Sequence, residues 1–147
     1  MVARNRGFTI IELLIVMAVI AILIGIAIPK FKGMRDEGNY TKAQSELRAL
    51  QAAVESYRIH ESQYPPSSQT VCASYLNGAQ PAIIDEVMLD PFRANNEYRY
   101  QRSGNGQYYV IYSYGFDGGR DVTGVSNAGV LNGTDDDDLF VTNGSGF

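Results

Sequence analysis

From Phe8 to Ile28 the chain runs for 21 residues with one charged side chain, Glu12, and almost nothing else that is polar. As a helix this run is roughly 32 Å long, the hydrocarbon thickness of a bilayer. No other feature of the 147 residues restricts the fold so strongly. The segment must sit in a membrane, lie in the core of an assembly, or be removed. Arg4 and Arg6 precede it and Lys30, Lys32 and Arg35 follow, so flanking charge alone gives weak guidance on orientation.

An ordinary secretory signal has a basic start, a short apolar core and a small-residue cleavage site behind it. Gly25-Ile26-Ala27 offers such a site, and a soluble secreted binding protein is therefore the competing reading. Two features oppose it: the run is longer than a usual signal core, and Glu12 lies near its start. Glu12 either reaches to the headgroups from the helix end or awaits a cationic partner within the membrane. Pro29 has no N–H, and its ring crowds the carbonyl of Gly25. That pairing predicts a kink where the helix leaves the membrane.

Arg6-Gly7-Phe8-Thr9-Ile10-Ile11-Glu12-Leu13 resembles the class III signal of the type IV pilin-like family, which includes type IV pilins and the pseudopilins of type II secretion. The resemblance implies that a prepilin peptidase cuts between Gly7 and Phe8 and that Phe8 becomes an N-methylated first residue. Glu12 then takes the place of the family's near-invariant glutamate. It further implies a staggered helix bundle in which the new amine of Phe8 meets Glu12 of a neighbour, a pair in low dielectric that favours one axial register. In resembling filaments the helix loosens around the matching proline, so melting between about Ile22 and Pro29 is the alternative to a simple kink.

Beyond Gly38 the pattern is again helical. Ala43, Leu47, Leu50, Val54 and Tyr57 make one apolar stripe, with Lys42, Glu46, Arg48, Gln51, Glu55 and Arg58 on the other faces. Tyr64-Pro65-Pro66 ends it, and the simplest reading is one helix over about residues 8–62. Residues 67–89 read as a loop with one helical turn. Glu97–Gln101 and Gln107–Tyr114 alternate as strands around the turn Arg102–Gly106, with Tyr108, Val110, Tyr112 and Tyr114 on one face. Leu139–Thr142 is a third strand. The fold class is α+β: a long N-terminal helix, half membrane and half amphipathic, packed on a small antiparallel sheet. The expected division is a leader at 1–7, a transmembrane or filament-core helix at 8–29, and a pilin-like domain at 30–147.

Tyr64-Pro65, Asp90-Pro91-Phe92, Tyr98-x-Tyr100, Ile111-Tyr112-Ser113-Tyr114-Gly115-x-Asp117-Gly118 and Asp137-Asp138-Leu139 together look like the major pseudopilin of type II secretion. The resemblance implies one bound Ca²⁺ that orders the C-terminal region, held by Asp117, Asp137, Asp138 and the carbonyl of Tyr114. Asp- and Gly-rich loops supply the hard oxygens that Ca²⁺ takes. Gly118–Asp136 is longer than the family's span and rich in Gly and Asn, so Asp121 or Asp135 can replace a matched ligand. The plain alternative is that Asp135–Asp138 is a solvated acidic face.

The rest of the composition excludes more than it suggests. A net charge of −4 and no basic stripe past residue 35 argue against nucleic acid. Cys72 is the single cysteine, so neither an intramolecular disulfide nor a cysteine zinc cluster can form, and the pairless cysteine favours a pseudopilin over a disulfide-closed pilin. His60 is the one histidine, and no nucleophilic triad can be assembled around it. Nothing separates Phe8, Phe31, Tyr40 and Tyr57 as electron carriers from ordinary packing. The expectation is a non-enzymatic filament subunit driving protein export, with a type IV pilus subunit as the alternative. The implied partners are copies of itself, prepilin peptidase, an inner-membrane assembly platform, minor pseudopilins and, before assembly, membrane lipid. The implied location is the bacterial inner membrane, crossed once, with the C-terminal domain in the periplasm and the filament there or on the cell surface.

Overall fold

The computed structural model describes residues 7–93 and 95–147. Arg4, Arg6 and the rest of the expected leader up to residue 6 lie outside the described residues. Two compact units divide the chain, residues 1–37 and 38–147. The helix α1, Ile10–Glu61, contributes to both and contains Gly25 and Pro29 without interruption. It stops where Ser62 turns into the left-handed region at φ 59°, a common way to end a helix, and Tyr64-Pro65 follows. In the first unit the helix is apolar from Ile10 to Ile28 apart from Glu12, with its large side chains exposed: Ile10 is 81 % accessible and Leu23 61 %. A helix of that composition and exposure is long enough to cross a membrane.

In the second unit α1 buries Ala43, Leu47, Leu50, Ala53 and Val54; relative to the stripe read from the sequence, Ala53 is added and Tyr57 is only partly buried. It packs on a three-stranded antiparallel sheet built from β1 (Arg99–Arg102), β2 (Tyr109–Ser113) and β5 (Leu139–Thr142), in the order β1-β2-β5. Arg99 pairs with Tyr112 across β1 and β2, and Tyr112 with Phe140 across β2 and β5. Side chains alternate between faces along each strand. Tyr98, Tyr100, Tyr109 and Ile111 join the core shared with α1. Between α1 and β1 runs a loop with a single wide helical turn, Cys72–Leu76, closed by the Asn77 amide on the Cys72 carbonyl.

The buried tyrosines of this core keep their hydroxyls satisfied on the helix or on the segment just past it. Tyr98 donates to Glu46 at 2.7 Å and Tyr109 to Glu55 at 2.9 Å, while Tyr100 donates to the Pro65 carbonyl. Glu46 and Glu55 thus serve the sheet, although helical periodicity alone places them away from the apolar stripe. A glutamate flanking the stripe is long enough to reach inward, and a buried hydroxyl without a partner is costly. Burial and these carboxylates push the Tyr98 and Tyr109 phenols well above their ordinary range.

The span Gly118–Asp136 departs from the sequence reading. It is not a plain loop: β3 (Val122–Val125) and β4 (Leu131–Gly133) form an antiparallel hairpin in it. Val122, Val125 and Leu131 cover the far face of the sheet at Val110 and Tyr112. All five residues of β2 are buried as a result, the pattern of a strand covered on both sides. The hairpin is too short, and too rich in glycine, to show an alternating pattern of its own.

Candidate functional site

Two places carry the chemistry that the sequence pointed to, one in each unit. The first is the start of α1. Thr9 precedes the first helical residue, and Glu12 folds back on it. The Thr9 amide and hydroxyl donate to Glu12 Oε2 at 2.9 and 2.7 Å, and the Glu12 amide reaches Thr9 Oγ1 at 3.3 Å. This is a capping box, which satisfies helix-end donors reciprocally. Its signal, Thr-x-x-Glu before an apolar run, stands in the sequence, and Glu12 is a helix cap as well as a charge. Glu12 Oε1 makes no hydrogen bond among the described residues. Gly7 and Phe8 lie just before this cap, and Phe8 is exposed.

The second place is the acidic loop around the end of β2. It is organised from below by Asp90, a buried carboxylate. Asp90 Oδ1 accepts from the Ser113 hydroxyl at 2.7 Å and the Phe92 amide at 2.9 Å, and Oδ2 accepts from the Tyr114 amide at 3.1 Å. Asp90 therefore fixes the point where the chain leaves β2 at Tyr114. Gly115 follows at φ 60°, and a Cβ there would collide with the Asp137 carbonyl, so only glycine lets the two segments meet. Asp137 Oδ2 accepts from the Phe116 and Asp117 amides at 2.5 and 2.8 Å. Phe116 in turn stacks on Tyr40, with ring centroids 6.0 Å apart, and meets the edge of Phe92 at 5.0 Å.

Carboxylate oxygens of Asp117, Asp121 and Asp137 lie within 4.8 Å of one another. Asp138 Oδ2 accepts from the Asp121 and Val122 amides at 2.9 and 2.8 Å, which ties the start of β3 to the acidic run. Asp121, named as a substitute ligand, stands in the group beside Asp117 and Asp137, and Asp135 is exposed. Tyr114 is buried at the strand end.

Three buried carboxylate oxygens, Asp121 Oδ2, Asp137 Oδ1 and Asp138 Oδ1, have no hydrogen-bond partner among the described residues. Burial raises the Asp121 carboxyl above the ordinary aspartate range, and the Asp136 and Asp117 charges add to this. Burial likewise raises Asp138, with the Val122 and Asp121 amides opposing. Crowded, partly desolvated carboxylates with unpaired oxygens are expensive without a cation. The residues fit a hard divalent ion that takes oxygen ligands.

Comparison with known proteins bears on both places. The family model described as type II secretion system protein G matches residues 30–132, and the prokaryotic N-terminal methylation motif matches residues 2–28. Type II secretion system core protein G of Klebsiella michiganensis is 30 % identical over 133 residues, covering 90 % of each chain. The proteins of the same description from Dickeya chrysanthemi and Aeromonas hydrophila are each 28 % identical. Both matches take in 78 % of this chain, with 80 % and 85 % of those proteins covered.

Proposed function

This chain belongs to the type II secretion system protein G family, the major pseudopilins, and we propose how its two sites make it work as a pseudopilus subunit. Of the two filament classes that the sequence left open, the family match selects the pseudopilus over the type IV pilus. The role is structural, and the N-terminal apolar helix anchors the chain to a membrane before assembly.

The finer steps are our reading. Prepilin peptidase cuts between Gly7 and Phe8 on the cytoplasmic side of the inner membrane. Residues 8–29 then hold the subunit in that membrane by a single span, with residues 30–147 in the periplasm. Extraction into a helical homopolymer, helped by an assembly platform and minor pseudopilins, exchanges lipid around Phe8–Ile28 for the same segments of neighbouring copies. Glu12 Oε1, left open by the capping box, accepts the methylated amine of Phe8 from a neighbour. Gly25 and Pro29 form the weak point of α1, where stacking can stretch it. The observation that carries this reading is an exposed apolar segment whose one carboxylate, Glu12, keeps an oxygen free among the described residues at the capped helix start.

We also assign Ca²⁺ to the acidic loop, with Asp117, Asp121 and Asp137 as carboxylate ligands. Asp138 and the Tyr114 carbonyl are the remaining candidates. Bound there, the ion neutralises the crowded carboxylates and locks β3 and the acidic run to the end of β2.

Intact mass and terminal sequencing of the protein from its native membrane test the processing step. A chain that begins at N-methylated Phe8 supports it. One that begins at Ile28 would lack the membrane helix and overturn the filament reading. For the ion, the thermal melt of the full chain should rise with Ca²⁺ and fall with EGTA, and identical melts would remove calcium from the account.

A further inference from the structure

The far face of the sheet is covered by the β3–β4 hairpin only in part. Beside the hairpin lies a groove of about 500 Å³, lined by Ser67–Gln69, Arg99, Arg120, Tyr112 and Tyr114 among others. Its charge is out of keeping with its surroundings. From residue 38 onward the chain has thirteen acidic and seven basic side chains, yet three of those seven, Arg93, Arg99 and Arg120, gather here. Among the described residues none of the three is in an ion pair, and the one recorded pair is Lys42–Glu46.

The guanidiniums are also held in place. Arg99 Nε donates to the Tyr114 hydroxyl at 3.0 Å, and Arg120 Nε donates to the Tyr112 hydroxyl at 3.0 Å. Arg120 Nη2 is further tied to the Thr123 carbonyl at 2.9 Å. Arg93 lies over the Tyr114 ring, 4.3 Å from its centroid, with Arg99 at 5.6 Å. These bonds engage Nε of Arg99 and both Nε and Nη2 of Arg120. Arg99 Nη1 and Nη2 and Arg120 Nη1 make no hydrogen bond among the described residues.

From this geometry we propose that the groove is a binding site for a carboxylate-bearing polypeptide segment, an acidic stretch of a partner protein. A planar guanidinium whose orientation is already set loses little entropy on binding; Arg99, with both Nη free among the described residues, matches a carboxylate through two parallel hydrogen bonds, and Arg120 adds one from Nη1. The Gln69 amide on the wall can both donate and accept, which suits peptide groups, while the Ser67 and Ser68 hydroxyls are engaged with Arg102 and Thr70. A long polyanion such as a nucleic acid is disfavoured, because the domain around the groove is acidic and repels it at distance. A short acidic segment meets only the local field, since the screening length at physiological salt is about 8 Å.

The test is a titration of the full ¹⁵N-labelled chain in a neutral detergent with an acetylated, amidated tetraglutamate peptide, followed at the arginine Nε–H resonances. Saturable shifts at Arg99 and Arg120 are expected. They should weaken about tenfold or more in the R99Q/R120Q double variant, which retains hydrogen-bond donors, and should weaken again in high salt. Near-UV circular dichroism of the double variant must match the parent, and R93Q serves as the second variant if it does not. An equal response to a tetraglutamine peptide would overturn the proposal. So would an undiminished response in a folded variant, or inorganic phosphate shifting the same resonances at lower concentration. Failure of the peptide to bind, together with loss of filament assembly in the variant, would make the groove a contact between copies and would equally refute it.

Discussion

Asp90 offers the sharpest test of how the fold holds the acidic loop. Replacing it with alanine removes the acceptor for three donors at once: the Tyr114 and Phe92 amides and the Ser113 hydroxyl. Asp90 and Ser113 are almost fully buried, so water cannot readily take over at Tyr114 and Ser113. A buried donor left without a partner costs about 1–3 kcal/mol, and bonds to a charged acceptor lie at the upper end. The Ser113 hydroxyl can rotate and the Phe92 amide is less enclosed, which brings the sum to about 3–5 kcal/mol. For a unit of this size, each kcal/mol lowers the melting temperature by about 4 °C. Asp90→Ala should then melt roughly 12–20 °C below the parent. Asp90→Asn keeps one carbonyl oxygen but turns an NH₂ toward a donor, and should lose about half as much. The assay is near-UV circular dichroism of the full chain in detergent, where the tyrosines report the globular unit and the apolar helix is silent. A fall of under about 4 °C for Asp90→Ala would mean that these bonds do not secure the strand end, and the account of Asp90 as its anchor would be wrong.

Three further outcomes are expected. Glu12→Gln preserves the capping box but removes the charge, whereas Thr9→Ala breaks the cap and leaves the charge. If the carboxylate is needed to pair with the neighbour's amine, electron microscopy should show filaments lost with Glu12→Gln and retained with Thr9→Ala; the reverse pattern would assign Glu12 to helix capping alone. Asp121→Asn should abolish the Ca²⁺-dependent rise in melting temperature while leaving the melt in EGTA unchanged or raised, because it removes one of the crowded charges; a preserved calcium response would exclude Asp121 as a ligand. The Cys72 thiol is pushed up to about 12, first by burial and then by the Glu97 carboxylate. The native state thus keeps a proton that the unfolded chain releases above about pH 8.5. Its contribution to stability is complete below that pH and is lost as pH rises toward 12, at about 1.4 kcal/mol per pH unit. Denaturant titrations between pH 9 and 10 should show this slope in the parent and a flatter one in Cys72→Ala; equal slopes would contradict it.

How much could be read without the fold depends on how local each interaction is. The 21-residue apolar run, the stripe from Ala43 to Val54 and the alternation of Tyr108, Val110, Tyr112 and Tyr114 are written as periodicities, because burial on one face of a regular element recurs with that element's own period. The class of fold, the strand at Leu139–Thr142 and the candidate residues Gly7, Phe8 and Glu12 followed from such patterns or from a contiguous motif. The capping box is equally local and is legible in Thr9 and Glu12.

Interactions across the chain left no such trace. The hairpin at Val122–Gly133 is held by side chains of β2, and its own residues carry no alternation long enough to announce it. Asp90 is 23 residues from Ser113, and the groove at Arg99 and Arg120 joins residues from β1, the loop after Tyr64 and the loop before β3. The sequence alone determined that the chain has an exposed apolar helix, an amphipathic continuation and an antiparallel sheet, because each is a repeating local pattern. Only the tertiary structure decided which aspartates converge, which carboxylate anchors the strand end and where the arginines gather. Those depend on distances between segments far apart in sequence, and distances of that kind are set by packing rather than by period.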